Sequence, residues 1–393
     1  MTTRRLVTNP FAAPEAVAPP ADAGAVVPRA FHQSLPGYAP TPLPPLPAAA
    51  EALGVRAVWL KDESERIGTP SFKILGASWA TCRVLADWLG VEIAEVADFA
   101  LLRAKLTAAV EQTGRPLALA AATDGNHGRA VAIMARLLGL SARIFVPADM
   151  VAERIAAIES EGAAVEVVDG GYDDAIRRSA EVAGPDVLVV SDTSWEGYTE
   201  PPAWVIDGYS TMMAEVHEAI AAGEADEPTV IAAQIGVGAF AAAVVRGFAR
   251  PQGPRLIGVE PTLADCVTVS IERGELTEIP GPQTSIMAGL NCGTPSQIAW
   301  PDMQQASTPS PPPPTTMPAR RCGCSLVMVW SPVRVGRPVP PGCSLIVTHS
   351  VSPATMSSSS SRPKAPLIRR RMRRSCVQAP TTTPPPRVRL RGR

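Results

Sequence analysis

From residue 55 onward the chain alternates short apolar runs with longer stretches whose apolar positions recur at helical spacing. The segments VRAVWL, LALAAA, ARIFVP, AAVEVV, VLVVSD, TVIAAQI and RLIGVE each read as a strand. Residues 126–139, 151–161, 172–183, 208–222 and 238–249 read as helices between them. A helix-length crossover between successive strands is what parallel pairing requires, so the pattern predicts an α/β chain with mainly parallel strands. No repeat of solenoid type interrupts it. Upstream, Pro40, Pro42, Pro44, Pro45 and Pro47 remove backbone donors and resist the helix interior, so residues 1–40 are expected to form an extended arm.

After Gln305 the periodicity stops. TPSPPPPTT, the serine run at 357–361, RRRMRR and TTTPPPRVRLRGR cannot form regular secondary structure throughout, and a disordered tail over 306–393 is expected. Charge breaks at the same place. The formal net charge of −1 comes from 36 Lys+Arg and 37 Asp+Glu, but all 37 acids lie in residues 1–305, whereas 15 of the basic groups lie in residues 306–393. One reading of that segment is a basic arm for nucleic acid or an anionic membrane surface. The other is that it was never selected as a protein surface. Codons compatible with residues 317–327, read from the third base, permit Ala-Gly-Ala-Ala-Val-Arg-Leu-Leu-Ala-Arg-His, and those for 328–336 permit Gly-Val-Val-Ser-Gly-Pro-Cys-Gly. A helix running into a glycine-bounded strand lies hidden there, which points to a one-base deletion near Gln305 to Ala306.

With 393 residues, 46% of them hydrophobic, the chain can bury the cores of two domains. No apolar run approaches the roughly 20 residues needed to cross a bilayer, and MTTRR leads into Pro/Ala-rich sequence rather than a signal core. A cytoplasmic location without membrane contact is expected. Cys82, Cys266 and Cys292 are too scattered for a disulfide framework or a metal site, and Cys322 and Cys324 are poorly spaced for zinc.

Four motifs carry candidate chemistry. SFKILGA places Lys73 at the start of a helix among small and apolar residues, where partial desolvation lowers a lysine pKa and makes a Schiff-base nucleophile; most lysines are merely solvated. AATDGNHGRAVA is a strand, a tight turn from Gly125 to Gly128 and a helix. Asp124 stands at a strand end where acid–base groups are mounted, Asn126 offers donor and acceptor, and His127 reads as a packed or capping residue more readily than as a base. In QIGVGAFAAAV, Gly236 and Gly238 expose successive backbone N–H groups at a helix N-terminus, whose partial positive charge suits a phosphate. It lacks the Lys-Ser/Thr ending of a nucleotide P-loop and the third glycine of a dinucleotide fingerprint, so a small phosphate monoester fits best. In SDTSWEGYTEPP, Asp192 ends a strand and either faces a pocket or caps a helix. A lysine, carboxylates, an Asn turn and a phosphate cradle at strand ends of a parallel sheet together suggest pyridoxal phosphate.

On these motifs, with YAPTPLPPLPAAAEALGV, GVEP and SIMAGLNCGTPSQIAWP, residues 30–305 resemble the diaminopropionate ammonia-lyase family, fold-type II pyridoxal-phosphate enzymes related to threonine and serine dehydratases. The resemblance implies a large cofactor domain from 41–85 and 190–305, a small α/β domain over 86–189, and a homodimer acting on a small amino acid. Nucleic acid is not implied as a partner, despite the basic tail. By the same resemblance Lys73 carries pyridoxal 5'-phosphate, Asn126 meets its phenolic oxygen, and Gly236 to Ala239 hold its phosphate. Asp124 is implied as the acid–base group opposite Lys73, and Asp192 as a substrate-ammonium or catalytic carboxylate. The implied reaction is α,β-elimination of 2,3-diaminopropionate to pyruvate and ammonia. A Gly-Pro-Cys-Gly-like segment whose polar side chain meets the pyridine nitrogen is present only in the alternative frame. Loss of the strand that goes with it is expected to leave an open sheet edge and a poorly active, aggregation-prone product.

Overall fold

The computed structural model describes residues 5–11, 27–123, 125–250, 252–285, 287–305, 326–329 and 344–349. It contains two sheets. One has four parallel strands in the order β5-β4-β3-β6, built from β3 (Ala118–Ala122), β4 (Ser141–Pro147), β5 (Ala164–Val168) and β6 (Val187–Val189). β3 is buried at every position, as an interior strand covered on both faces must be. Between these strands run α5 (Asn126–Leu138), α6 (Ala152–Glu159) and α7 (Tyr172–Glu181).

The second sheet has six strands in the order β1-β9-β8-β7-β10-β2. Here β2 is Ala57–Asp62, β7 Val230–Gln234 and β8 Arg255–Glu260, joined at the edge by β1 (Arg5–Thr8). β9 (Leu326–Val329) runs antiparallel to β8, and every other pairing in this sheet is parallel. All seven strands read from the sequence are present, and the α/β class with fold-type II architecture holds.

Two expectations change, both at proline-led helix starts. The expected arm over 1–40 is not extended throughout, since α1 (Pro28–Ser34) lies within it and α2 (Pro47–Leu53) follows; each begins on proline, whose missing N–H has no partner to lose at that position. Helix α8 begins at Glu200 rather than 208 for the same reason, because the Pro-Pro pair occupies its first turn. In the tail, β9 and β10 (Ser344–His349) are regular strands, and β10 sits between β2 and β7. Leu-Ile-Val is β-prone, and a ladder needs only backbone donors and acceptors in register. The remainder of 306–393 lies outside the described residues.

Helix α3 (Lys73–Leu89) crosses α8 (Glu200–Ala221) at two glycines. A Cβ on Gly208 would stand 2.6 Å from the Leu75 carbonyl oxygen, and one on Gly76 would stand 2.7 Å from the Tyr209 ring. The close crossing fixes the start of α3, and with it Lys73, against Tyr209 and Phe72.

Candidate active site

Lys73 opens α3 after a tight turn. Arg66 and Thr69 pair across that turn, with Ile67 (φ 50°) and Gly68 (φ 71°) between them in the left-handed region. A β-branched residue there is strained and persists only where its surroundings hold it. They do so through buried charge: Arg66 Nε and Nη2 donate to Glu63, and Nη1 and Nη2 donate to Glu215, all at 2.7–2.8 Å. Lys61 Nζ donates to Glu215 at 2.6 Å. The sequence reading missed this group. Its signal was the period-2 placement of Trp59, Lys61 and Glu63 on one face of β2 and its extension.

Lys73 Nζ donates to Asp192 Oδ2 at 2.6 Å, across 119 residues of chain. Asp192 also accepts from Tyr172 Oη at 3.3 Å, and His127 Nδ1 stands 3.8 Å from the same Oδ2. Burial alone would raise the Asp192 carboxyl. His127 and Lys73, with hydrogen bonds from Lys73 and Tyr172, outweigh it and hold the carboxyl well below the usual carboxylate range. Tyr198, stacked on Trp195 at 4.0 Å, donates to Val189 O and accepts from Ser191 N, so it clamps the strand end that carries Asp192.

The glycine turn is tied to the same place. Ser194 Oγ lies 3.2 Å from Ser296 Oγ, and Ser296 N donates to Val237 O within the turn. From the other side, the Phe72 ring meets Phe240, in the first turn of α9 (Ala239–Phe248), with 4.5 Å between centroids. Gly238 has φ 103°, and a Cβ there would strike Met303 at 2.5 Å; one on Gly236 would press Cys292 Sγ at 3.2 Å. The backbone at Gly236 and Gly238 therefore approaches its surroundings more closely than a side chain would allow, while Val237 and Ala239 in the same turn carry side chains. Asn126 opens α5 beside His127, in a turn closed by Thr123 Oγ1, which accepts from Gly125 N and Gly128 N at 2.9 Å. Asp124 lies outside the described residues.

Lys73, Asp192, the Asn126 turn and the Gly236 turn thus converge at the ends of β3, β6 and β7. Two buried polar atoms there, His127 Nδ1 and Thr193 Oγ1, have no hydrogen-bond partner among the described residues. A partly buried lysine, a glycine turn opening α9 and the unsatisfied polar atoms His127 Nδ1 and Thr193 Oγ1 fit a phosphorylated aldehyde cofactor. The chain belongs to the pyridoxal-phosphate dependent enzymes, whose family profile matches residues 35–309. Within that class it is 38% identical over 284 residues to the diaminopropionate ammonia-lyase of Escherichia coli (strain K12), covering 71% of this chain and 69% of that protein. It is 39% identical over 280 residues to that of Salmonella typhimurium, covering 69% and 68% respectively. A crystal structure of the E. coli enzyme in complex with D-serine matches with a TM-score of 0.72 at 28% identity, over 89% of this chain and 94% of that one. Among the described residues, no helix is long and apolar enough to cross a membrane.

Proposed function

We propose that this chain catalyses the α,β-elimination of 2,3-diaminopropionate to pyruvate and ammonia, with pyridoxal 5'-phosphate held by Lys73, Asn126 and the Gly236–Ala239 turn. The observation that carries the reading is the 2.6 Å contact of Lys73 Nζ with the buried Asp192, whose loop is tied through Ser194 and Ser296 to the glycine turn at Val237. When bound, the cofactor takes up the electron pair left behind as a Cα proton is removed. Lys73 Nζ receives that proton on one face of the substrate. Asp124 receives it on the other, which accounts for turnover of both enantiomers. Asp192 holds Lys73 in place and supplies a negative charge for the second ammonium of a diamino acid. Ser194, Ser296 and the start of α9 orient the phosphate. Assembly as a homodimer and a cytoplasmic location belong to the same reading and rest on the family resemblance.

Pyruvate release from D- and L-2,3-diaminopropionate tests it, with borohydride trapping and peptide mapping to locate the cofactor lysine. The label is expected on Lys73. Asp124→Asn is expected to lose one enantiomer by about 100-fold or more while the other keeps most of its rate. Equal loss for both would remove Asp124 from its role, and a label on a different lysine would overturn the assignment of the site.

A further inference from the structure

His127 lies 1% exposed between the strand end at Val190 and the Asp192 carboxylate. Its Nε2 is 2.8 Å from Val190 O. A carbonyl oxygen only accepts, so Nε2 carries a proton whatever the state of the ring. In the neutral imidazole that leaves Nδ1 bare. The bare nitrogen then faces Asp192 Oδ2 at 3.8 Å, two acceptors across a buried gap, and Nδ1 has no partner among the described residues. An arrangement of that kind is satisfied only when a proton enters the gap. On its other side the same Oδ2 takes Lys73 Nζ at 2.6 Å. One carboxylate oxygen thus stands between the amine that must be neutral to react and a ring nitrogen with an open site for a proton.

We propose that His127 is a positioning residue that acts through Asp192 as the proton store for Lys73. The N–H bond of the Lys73 ammonium breaks as an O–H bond forms at Asp192 Oδ2. That O–H then breaks as Nδ1–H forms, leaving a neutral amine, an ionised carboxylate and an imidazolium. Net charge is conserved and no further reactant is needed. Among the described residues, the titratable groups facing this pair are Tyr172 at the start of α7, Tyr198 in the loop beyond Asp192 and Tyr209 on α8. Burial pushes Tyr209 up to about 12 and raises Tyr198 further, so these two hold their protons while the lysine gives one up. The inference rests on Lys73 and Asp192 being the reacting pair.

The test uses His127→Gln, whose amide can still donate to Val190 O but has no Nδ1 to load. Reconstitution of apoprotein with pyridoxal phosphate is followed by absorbance across pH. The variant is expected to be about 100-fold slower than wild type near neutrality and to recover at high pH, where the lysine is neutral without help. A merely structural role would slow it equally at every pH, and that result overturns the proposal. Independently of the variant's folding, ¹⁵N-histidine spectra of wild-type apoprotein resolve a chain with only 4 histidines. Nε2 of His127 is expected to be protonated throughout, with Nδ1 occupancy that falls in Asp192→Asn. A bare Nε2, or a ring unmoved by Asp192→Asn, overturns it. Borohydride labelling away from Lys73 would instead show that the underlying site assignment has failed, and this proposal with it.

Discussion

Replacing Arg66 with methionine keeps an unbranched apolar stem and removes the charge that two buried carboxylates share. Arg66 is fully buried, grips Glu63 and Glu215 through paired hydrogen bonds and donates to Thr41 Oγ1 at 2.9 Å. Breaking a buried pair by deleting one partner costs about 3–5 kcal/mol, because the other is left uncompensated. The direction of the Glu215 shift agrees: burial would raise it, but Arg66 and Lys61 bring it down from 4.5 to about 2. A carboxyl depressed in the folded state contributes stability above its ordinary value and loses it as pH falls toward the folded value. Urea unfolding of the two proteins should therefore show a gap of about 3–5 kcal/mol at pH 7 that narrows between about pH 4.5 and 2. Because the same guanidinium holds the strained turn leading to Lys73, the variant should also retain less cofactor. A gap below about 1 kcal/mol at pH 7, or one that stays constant into acid, would refute the reasoning.

Gly208→Ala drives a methyl group to 2.6 Å from the Leu75 carbonyl oxygen and should cost about 1–3 kcal/mol, read as a lowered thermal midpoint; an unchanged midpoint would mean that α3 and α8 can separate freely. For the tail, restoring one base between codons 305 and 306 is expected to raise the yield of cofactor-loaded protein. An unchanged or lower yield would count against the out-of-frame reading.

Much of this architecture was legible in residue order alone. Periodicity located all seven strands from β2 to β8, and the starts of α5, α7 and α9 fell within a residue of the reading, because a strand or helix facing one core leaves its period in the chain. Lys73 at a helix start, and Asp192 and the Gly236 turn at strand ends, stood out as candidates through their local chemistry alone. Proline misled at the N-terminus, since the same residue that forbids a helix interior suits a helix start, and only packing around Phe31 and Ala50 distinguishes the two. Pairings between distant segments left no such trace. Nothing near Lys73 signals that its partner is Asp192, that Arg66 reaches Glu215 149 residues away, or that His127 spends one nitrogen on Val190 and turns the other toward the site. Period and capping are properties of neighbours along the chain, whereas a buried charge finds its counter-charge only when helices and sheets from separate segments close around both.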